Sequence, residues 1–211
     1  MKRLIVAITV ALVGMVVAPE SVSAQFDISK LGGVFGGSSS KPKVSPYKTL
    51  ADNAPSKSEV LGVWQYSDFD LEYLGSNSLA ETAIGQVESY ARVELQAAGV
   101  KAGCFTITLH NDGSGSFSYE DYIYEGSYTY DASKAHFVMT SSANDGTTIT
   151  LTGFLKMNKG KLVVMVKAED AIKAFTTILP EVSEGDDSTF EMINGVVQSF
   201  PGIFISMHYN R

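Results

Sequence analysis

The chain has 211 residues, and its groups best suited to chemistry are three histidines, one cysteine, its serines and a few acidic clusters. Zinc sites that show in a sequence gather histidine or cysteine ligands at short spacings such as H-x-H or H-E-x-x-H. His110, His136 and His208 instead fall in separate runs with neither spacing, which predicts edge or surface histidines. No serine sits in a G-x-S-x-G elbow, and the many serines cluster in turns, where they cap or solvate backbone. Cys104 is the only cysteine, so no disulfide can form within the chain. It opens an apolar run and has no adjacent histidine or lysine to lower its pKa, which predicts a small buried hydrophobe. Glu120-Asp121 and Glu184-Gly-Asp-Asp187 offer oxygen ligands to a hard cation. Neither these nor Asn111-Asp112-Gly113 has the spacing of a calcium loop. The expectation is a protein that is not an enzyme, with no catalytic residue, no cofactor and no metal.

The pattern around these residues is more informative. From Cys104 to Lys167 apolar and polar residues alternate in the runs Cys104–His110, Ser116–Glu120, Ile123–Tyr130, Ala135–Thr140, Thr147–Met157 and Lys161–Lys167. A period of two makes one face oily in a strand and cannot serve a helix. Asn111-Asp-Gly-Ser-Gly115, Asp131-Ala-Ser-Lys134, Asn144-Asp-Gly146 and Asn158-Lys-Gly160 separate the runs. These residues tolerate the left-handed backbone of tight hairpins, so strands adjacent in the chain should pair as an up-and-down meander.

Two further strands and three helical segments complete the elements. Val60–Tyr66 contains the only tryptophan and reads as a first strand; Ile203–Tyr209 reads as the last. Between Ser78 and Gly99 a capping box, Ser78 with Glu81, precedes Leu79, Ala83, Val87, Ala91, Leu95 and Ala98 on one helical face. This narrow, alanine-rich stripe suits packing against a sheet or across a barrel mouth. Ala171–Leu179, stopped by Pro180, and Thr189–Ser199, with Ser188 and Glu191 as a second capping box, predict two helices before the last strand.

The first 24 residues have the form of a secretory signal peptide: Lys2-Arg3, an apolar run from Leu4 to Ala18, and the cleavage site Val22-Ser23-Ala24. Pro19-Glu20 interrupts the run short of the roughly 20 residues a membrane span needs, and no later segment reaches that length. An exported protein, periplasmic or secreted, without a transmembrane segment in the mature chain is expected. Residues 25–57, with Gly32-Gly33, Gly36-Gly37-Ser-Ser-Ser40 and Pro42, read as a flexible leader whose Phe26, Leu31 and Phe35 could dock on another surface. Residues 58–211 are then one domain. Removing residues 1–24 leaves 14 basic and 22 acidic residues, a net charge of −8 with the lysines scattered. That balance excludes a nucleic-acid surface, which needs a basic stripe.

Gly62-Val63-Trp64 resembles the G-x-W opening of lipocalins. The order of leader, Gly-Val-Trp strand, long helix, Phe105–Ser114, Gly126–Asp131, paired helices and closing strand is similar to a lipocalin-like domain family of unknown function from exported proteins of Gram-negative gut bacteria. The T-D-Y motif of true lipocalins has no match in Met157–Lys161, and their helix follows the last strand. The resemblance implies a mainly β, calycin-like fold: an antiparallel up-and-down barrel of about eight strands, with one long helix after the first strand and two helices before the last. It also implies Trp64 and Gly62 as structural residues, Trp64 plugging one barrel end with Arg211 or Arg92 packed on it.

In such a barrel the more apolar alternating set must face inward. That set includes Phe105, Ile107, Leu109, Phe117, Tyr119, Leu151, Val164, Ile205 and Met207, with Ile149, Val166 and Ile203 beside them. Tyr119, Tyr124, Tyr128 and Tyr130 crowd two neighbouring strands and could add hydrogen-bonding tips to a small apolar cavity. Two functions follow: binding of a small hydrophobic ligand among Phe105, Ile107, Leu109, Phe117, Tyr119, Tyr128, Leu151, Val164, Ile205 and Met207, or a solid barrel serving as a structural or protein-interaction module.

Overall fold

A computed structural model of the chain describes residues 50–211 apart from 76, 98–99, 120–121, 143–147 and 173–187. A short helix, α1 (Lys57–Val60), leads into β1 (Gly62–Tyr73) and the long helix α2 (Ser78–Ala97). Six strands follow in a meander: β2 (Phe105–Leu109), β3 (Ser114–Tyr119), β4 (Tyr122–Asp131), β5 (His136–Ser142), β6 (Thr148–Asn158) and β7 (Lys161–Lys167). Residues 168–172 form a helical turn, and α3 (Ser188–Ser199) precedes β8 (Ile203–Asn210). Each strand pairs antiparallel with the next in sequence, and β8 returns to β1, closing an eight-stranded barrel.

Turn chemistry sets the meander. Lys159 and Gly160 alone connect β6 to β7, both at positive φ (52° and 82°), the two-residue turn whose twist matches that of the strands it joins. Asp131 accepts hydrogen bonds from the Ser133 backbone and hydroxyl at the β4–β5 turn. The Asn144–Gly146 turn and the predicted helix beyond residue 172 lie outside the described residues, as do the Glu120-Asp121 pair and the Glu184–Asp187 loop.

Four expected boundaries move. β1 begins at Gly62 because Ser56 starts α1: Glu59 accepts hydrogen bonds from the Ser56 backbone nitrogen (2.8 Å) and hydroxyl (2.6 Å). It also runs seven residues past Tyr66. Its register against β8 shifts between Tyr66 and Asp68, a bulge that moves the inward phase from Trp64 and Tyr66 to Phe69 and Leu71. The alternation therefore looks broken in the sequence although the strand continues. Asn77, not Ser78, caps α2, its Oδ1 accepting from the Leu79 nitrogen at 3.0 Å, and α3 includes Ser188 as a helical residue.

The core is the barrel interior and the helix face that covers it. Trp64, Phe105, Ile107, Leu109, Phe137, Leu155, Leu162, Val164 and Tyr209 are buried there with Ala80, Ala83, Ile84, Val87, Ala91 and Leu95 of α2. Each large apolar side chain so removed from water contributes about 1.5–3 kcal/mol. A second, smaller cluster lies on the outside of β6–β8, where Val163, Met165 and Phe204 pack with Leu50 and Ala135. Leu50 and Ala54, within the stretch expected as leader, thus pack on the barrel, and the buried Pro55 offers its carbonyl to the Tyr130 hydroxyl at 2.7 Å; residues 1–49, with the expected signal peptide, lie outside the described residues.

Candidate functional site at the helix-covered seam

The barrel wall has a seam. β1 pairs with β2 only through Gly62–Gln65, since β2 is five residues long; from Tyr66 to Tyr73, β8 is its one strand neighbour among the described residues. That leaves an edge of β1 whose backbone groups need other partners. Gly103 donates to the Tyr66 carbonyl at 2.7 Å. Beyond it, two side chains of α2 take over: Glu88 Oε2 accepts from the Leu71 nitrogen at 3.0 Å, and Arg92 Nη2 donates to the Phe69 carbonyl. Helix side chains here imitate a ninth strand, which is what fastens α2 across the gap.

Arg92 is the centre of this fastening. It donates to Asp68 Oδ1 at 2.6 Å and to Glu88 Oε1 at 2.9 Å, while its guanidinium lies 4.8 Å from the centre of the Phe69 ring. Partial burial acts to raise the pKa of Asp68, but the hydrogen bonds from Arg92 and from the Phe69 backbone outweigh it and hold the carboxyl below its usual range. Outside the seam a groove of about 130 Å³ passes Tyr66, Asp68, Arg92 and Lys101.

Beneath the seam lies an apolar void of about 20 Å³, bounded by Leu71, Ile203 and Ile205 of the barrel, Ile84 and Val87 of α2, Val196 and Val197 of α3, and Ala168 and Ile172. One water would fit; a guest as large as benzene occupies a cavity of about 150 Å³. Occupancy by a ligand therefore requires α2 and α3 to move outward.

The opposite end of the barrel is sealed. Trp64 is 0 % exposed and donates from Nε1 to the Val60 carbonyl at 2.8 Å. Arg211, the residue that packs on it, holds its guanidinium 4.6 Å from the centre of the indole and donates to the carbonyls of Glu59 and Leu61, both at 3.0 Å. The end of the chain thus ties α1 to the tryptophan. Gly62, at φ 125°, makes the turn from α1 into the strand.

Of the ten residues expected around a ligand, Phe105, Ile107, Leu109, Tyr119, Tyr128, Leu151, Val164, Ile205 and Met207 are buried in one core and Phe117 is half-buried beside them. Rings fill the core where β2 meets β3: Phe105 stacks on Tyr119 and Phe117 at 4.9 and 5.7 Å between centres. Val166 and Ile203 face the same core; of Ile149 only the backbone position on β6 is described. Only Ile205 of the ten also borders the void.

The phenolic tips are engaged elsewhere. Tyr128 donates to the His110 carbonyl at 2.7 Å, and Tyr130 to Pro55. Burial pushes the Tyr130 hydroxyl up to about 12, and it raises Tyr66 and the fully buried Tyr209 as well. The α2 and α3 residues around the void were absent from the expected set. Their only signal in the sequence is the Val87 stripe, which marks a buried helix face without saying what lies under it.

A family model described as a lipocalin-like domain (DUF4923) matches residues 40–211. A crystal structure described as a DUF4847 family protein from Bacteroides vulgatus ATCC 8482 is similar over 72 % of this chain and 96 % of that one, at 12 % identity and a TM-score of 0.35. No curated protein matches the chain significantly. No helix among the described residues is long and apolar enough to cross a membrane.

Proposed function

Because the chain belongs to the lipocalin-like domain family DUF4923, we propose that it is an exported, non-catalytic binding protein that takes a small hydrophobic ligand under α2 and α3. The observation that carries this reading is the apolar void beneath a helix whose side chains bond the edge of β1 beyond the reach of β2. A strand in the ladder opens only by breaking backbone pairs, whereas α2 is fastened by two side chains and its own packing. Gly85 in mid-helix weakens α2 by a further 1 kcal/mol or so relative to alanine. Leu71, Ile203 and Ile205 of the barrel then act as the floor of the site. Lys2-Arg3 with the apolar run to Ala18 supports export.

A neutral fluorescent probe such as N-phenylnaphthylamine tests the site. It should bind the native protein stoichiometrically and displaceably, and bind several-fold faster to Arg92→Ala, in which the fastening is cut. Val87→Trp fills the void and should abolish the signal. No enhancement with either the native chain or Arg92→Ala would leave the second reading, a solid interaction module, which the stacked rings in the core favour.

The fastening also has a pH dependence. Asp68 has its folded pKa depressed, so its contribution is fully present above the ordinary carboxylate range near pH 3.9 and is lost as pH falls through the folded value. Probe uptake by the native chain should accelerate on acidification below about pH 4, and Asp68→Asn should show the faster uptake already at neutral pH. Identical profiles for the two proteins would remove Asp68 from the latch.

A further inference from the structure

On the outer face of the barrel, β1 and β8 bring together three metal-ligating side chains that lie far apart in the chain. Asp70 and Glu72 are alternate residues of β1; the register pairs Asp70 with Ser206 and Glu72 with Phe204, and places His208 one step along on the same face. His208 Nε2 stands 3.1 Å from Asp70 Oδ2, and one ligand atom from each of the three lies within 4.8 Å of the others.

Two polar atoms at this spot are left over. Ser206 is 0 % exposed, and its hydroxyl has no hydrogen-bond partner among the described residues; Asp70 Oδ1, across the ladder from it, is also buried and unpartnered. Buried polar groups are satisfied in the great majority of cases, so two orphans on cross-strand partners beside a histidine mark a place that a further polar species fits. One cation is already near: Lys156 Nζ holds both oxygens of Glu72 at 2.5 Å.

We propose that Asp70, Glu72 and His208 form a site for a divalent ion of the zinc class, with the Lys156 ammonium holding Glu72 as its competitor. An imidazole nitrogen with two carboxylate oxygens suits zinc, whereas calcium and magnesium favour all-oxygen shells. Tetrahedral zinc with bonds of about 2.0–2.1 Å needs ligand atoms roughly 3.3 Å apart. The His208–Asp70 spacing meets that already. Glu72, whose oxygen lies within 4.8 Å of the other two ligand atoms, must close that gap by a side-chain rotation once it leaves Lys156. Three protein ligands leave a fourth position, beside Ser206, for water or an incoming group.

Titration of the native protein with zinc chloride, read by calorimetry and by zinc content after dialysis, tests the site. The expected result is one zinc per chain, tenfold or more weaker binding in His208→Ala and in Asp70→Asn, and severalfold tighter binding in Lys156→Met, where the competitor is gone. Lys156→Met guards against the case in which a weakened variant has simply lost its fold. Absence of zinc uptake by both the native chain and Lys156→Met would overturn the site. So would binding that His208→Ala leaves unchanged, or calcium binding tighter than zinc.

Discussion

Trp64→Ala should lower the melting temperature by on the order of 10–20 °C. Replacing a buried Trp by alanine costs about 3–5 kcal/mol in transfer and cavity terms. Here the indole is fully buried at the sealed end, so the site can collapse little around the hole. The substitution also strips the Val60 carbonyl of its donor and leaves Arg211 stacked on nothing, loosening α1 from the barrel. Against a total stability of about 5–15 kcal/mol, such a loss removes a large fraction. Thermal unfolding followed by circular dichroism reads it, with Trp64→Phe expected to lose distinctly less. A fall of under about 3 °C for the alanine variant would show that the plug carries little of the stability.

Gly153→Ala should cost at least about 3 kcal/mol, the upper end of what one added methyl does in a packed interior. Gly153 is buried on β6 opposite Phe137, and a Cβ there would stand 2.3 Å from the Met165 carbonyl oxygen of β7. The clash is with backbone, so no rotamer change relieves it; β6 must part from β7 or the strand must twist. Gly85→Ala, exposed in α2 with no atom within 4 Å of the added carbon, should instead stabilise by about 0.5–1 kcal/mol. Urea denaturation of the two variants compares them directly. Gly153→Ala as stable as the native chain would mean that the close approach of β6 and β7 is not required.

The strands of the meander are legible because most of them alternate and their turns carry Asn, Asp and Gly. β7 has the bounds expected, Lys161–Lys167, but not the alternation: Leu162–Val166 is apolar throughout because Val163 and Met165 are buried in the outer cluster, and it is the Lys159-Gly160 turn that fixes its register. β1 was half-legible. Ser67 is extra in the ladder, so Phe69 and Leu71 fall on the wrong phase for anyone counting from Trp64. The barrel interior followed from alternation alone, which is why Phe105, Ile107 and Leu109 were expected inside and are.

The seam left no such trace. Glu88 and Arg92 have the four-residue spacing of an ordinary pair on a helix surface, and nothing local reveals that they hydrogen-bond the edge of another element. Choosing between Arg211 and Arg92 as the tryptophan's partner likewise needed tertiary structure, since both are remote from Trp64 in sequence. His208 and Asp70 are 138 residues apart, and only the β1–β8 register joins them.

Hydrogen–deuterium exchange with and without saturating N-phenylnaphthylamine tests the binding site most directly. The lidded-seam account predicts that the probe slows exchange in α2, α3 and the Leu71–Tyr73 and Ile203–Ile205 segments that border the void, with the Trp64 end unchanged. Protection centred on Trp64 and Arg211, or none anywhere at saturation, would contradict it.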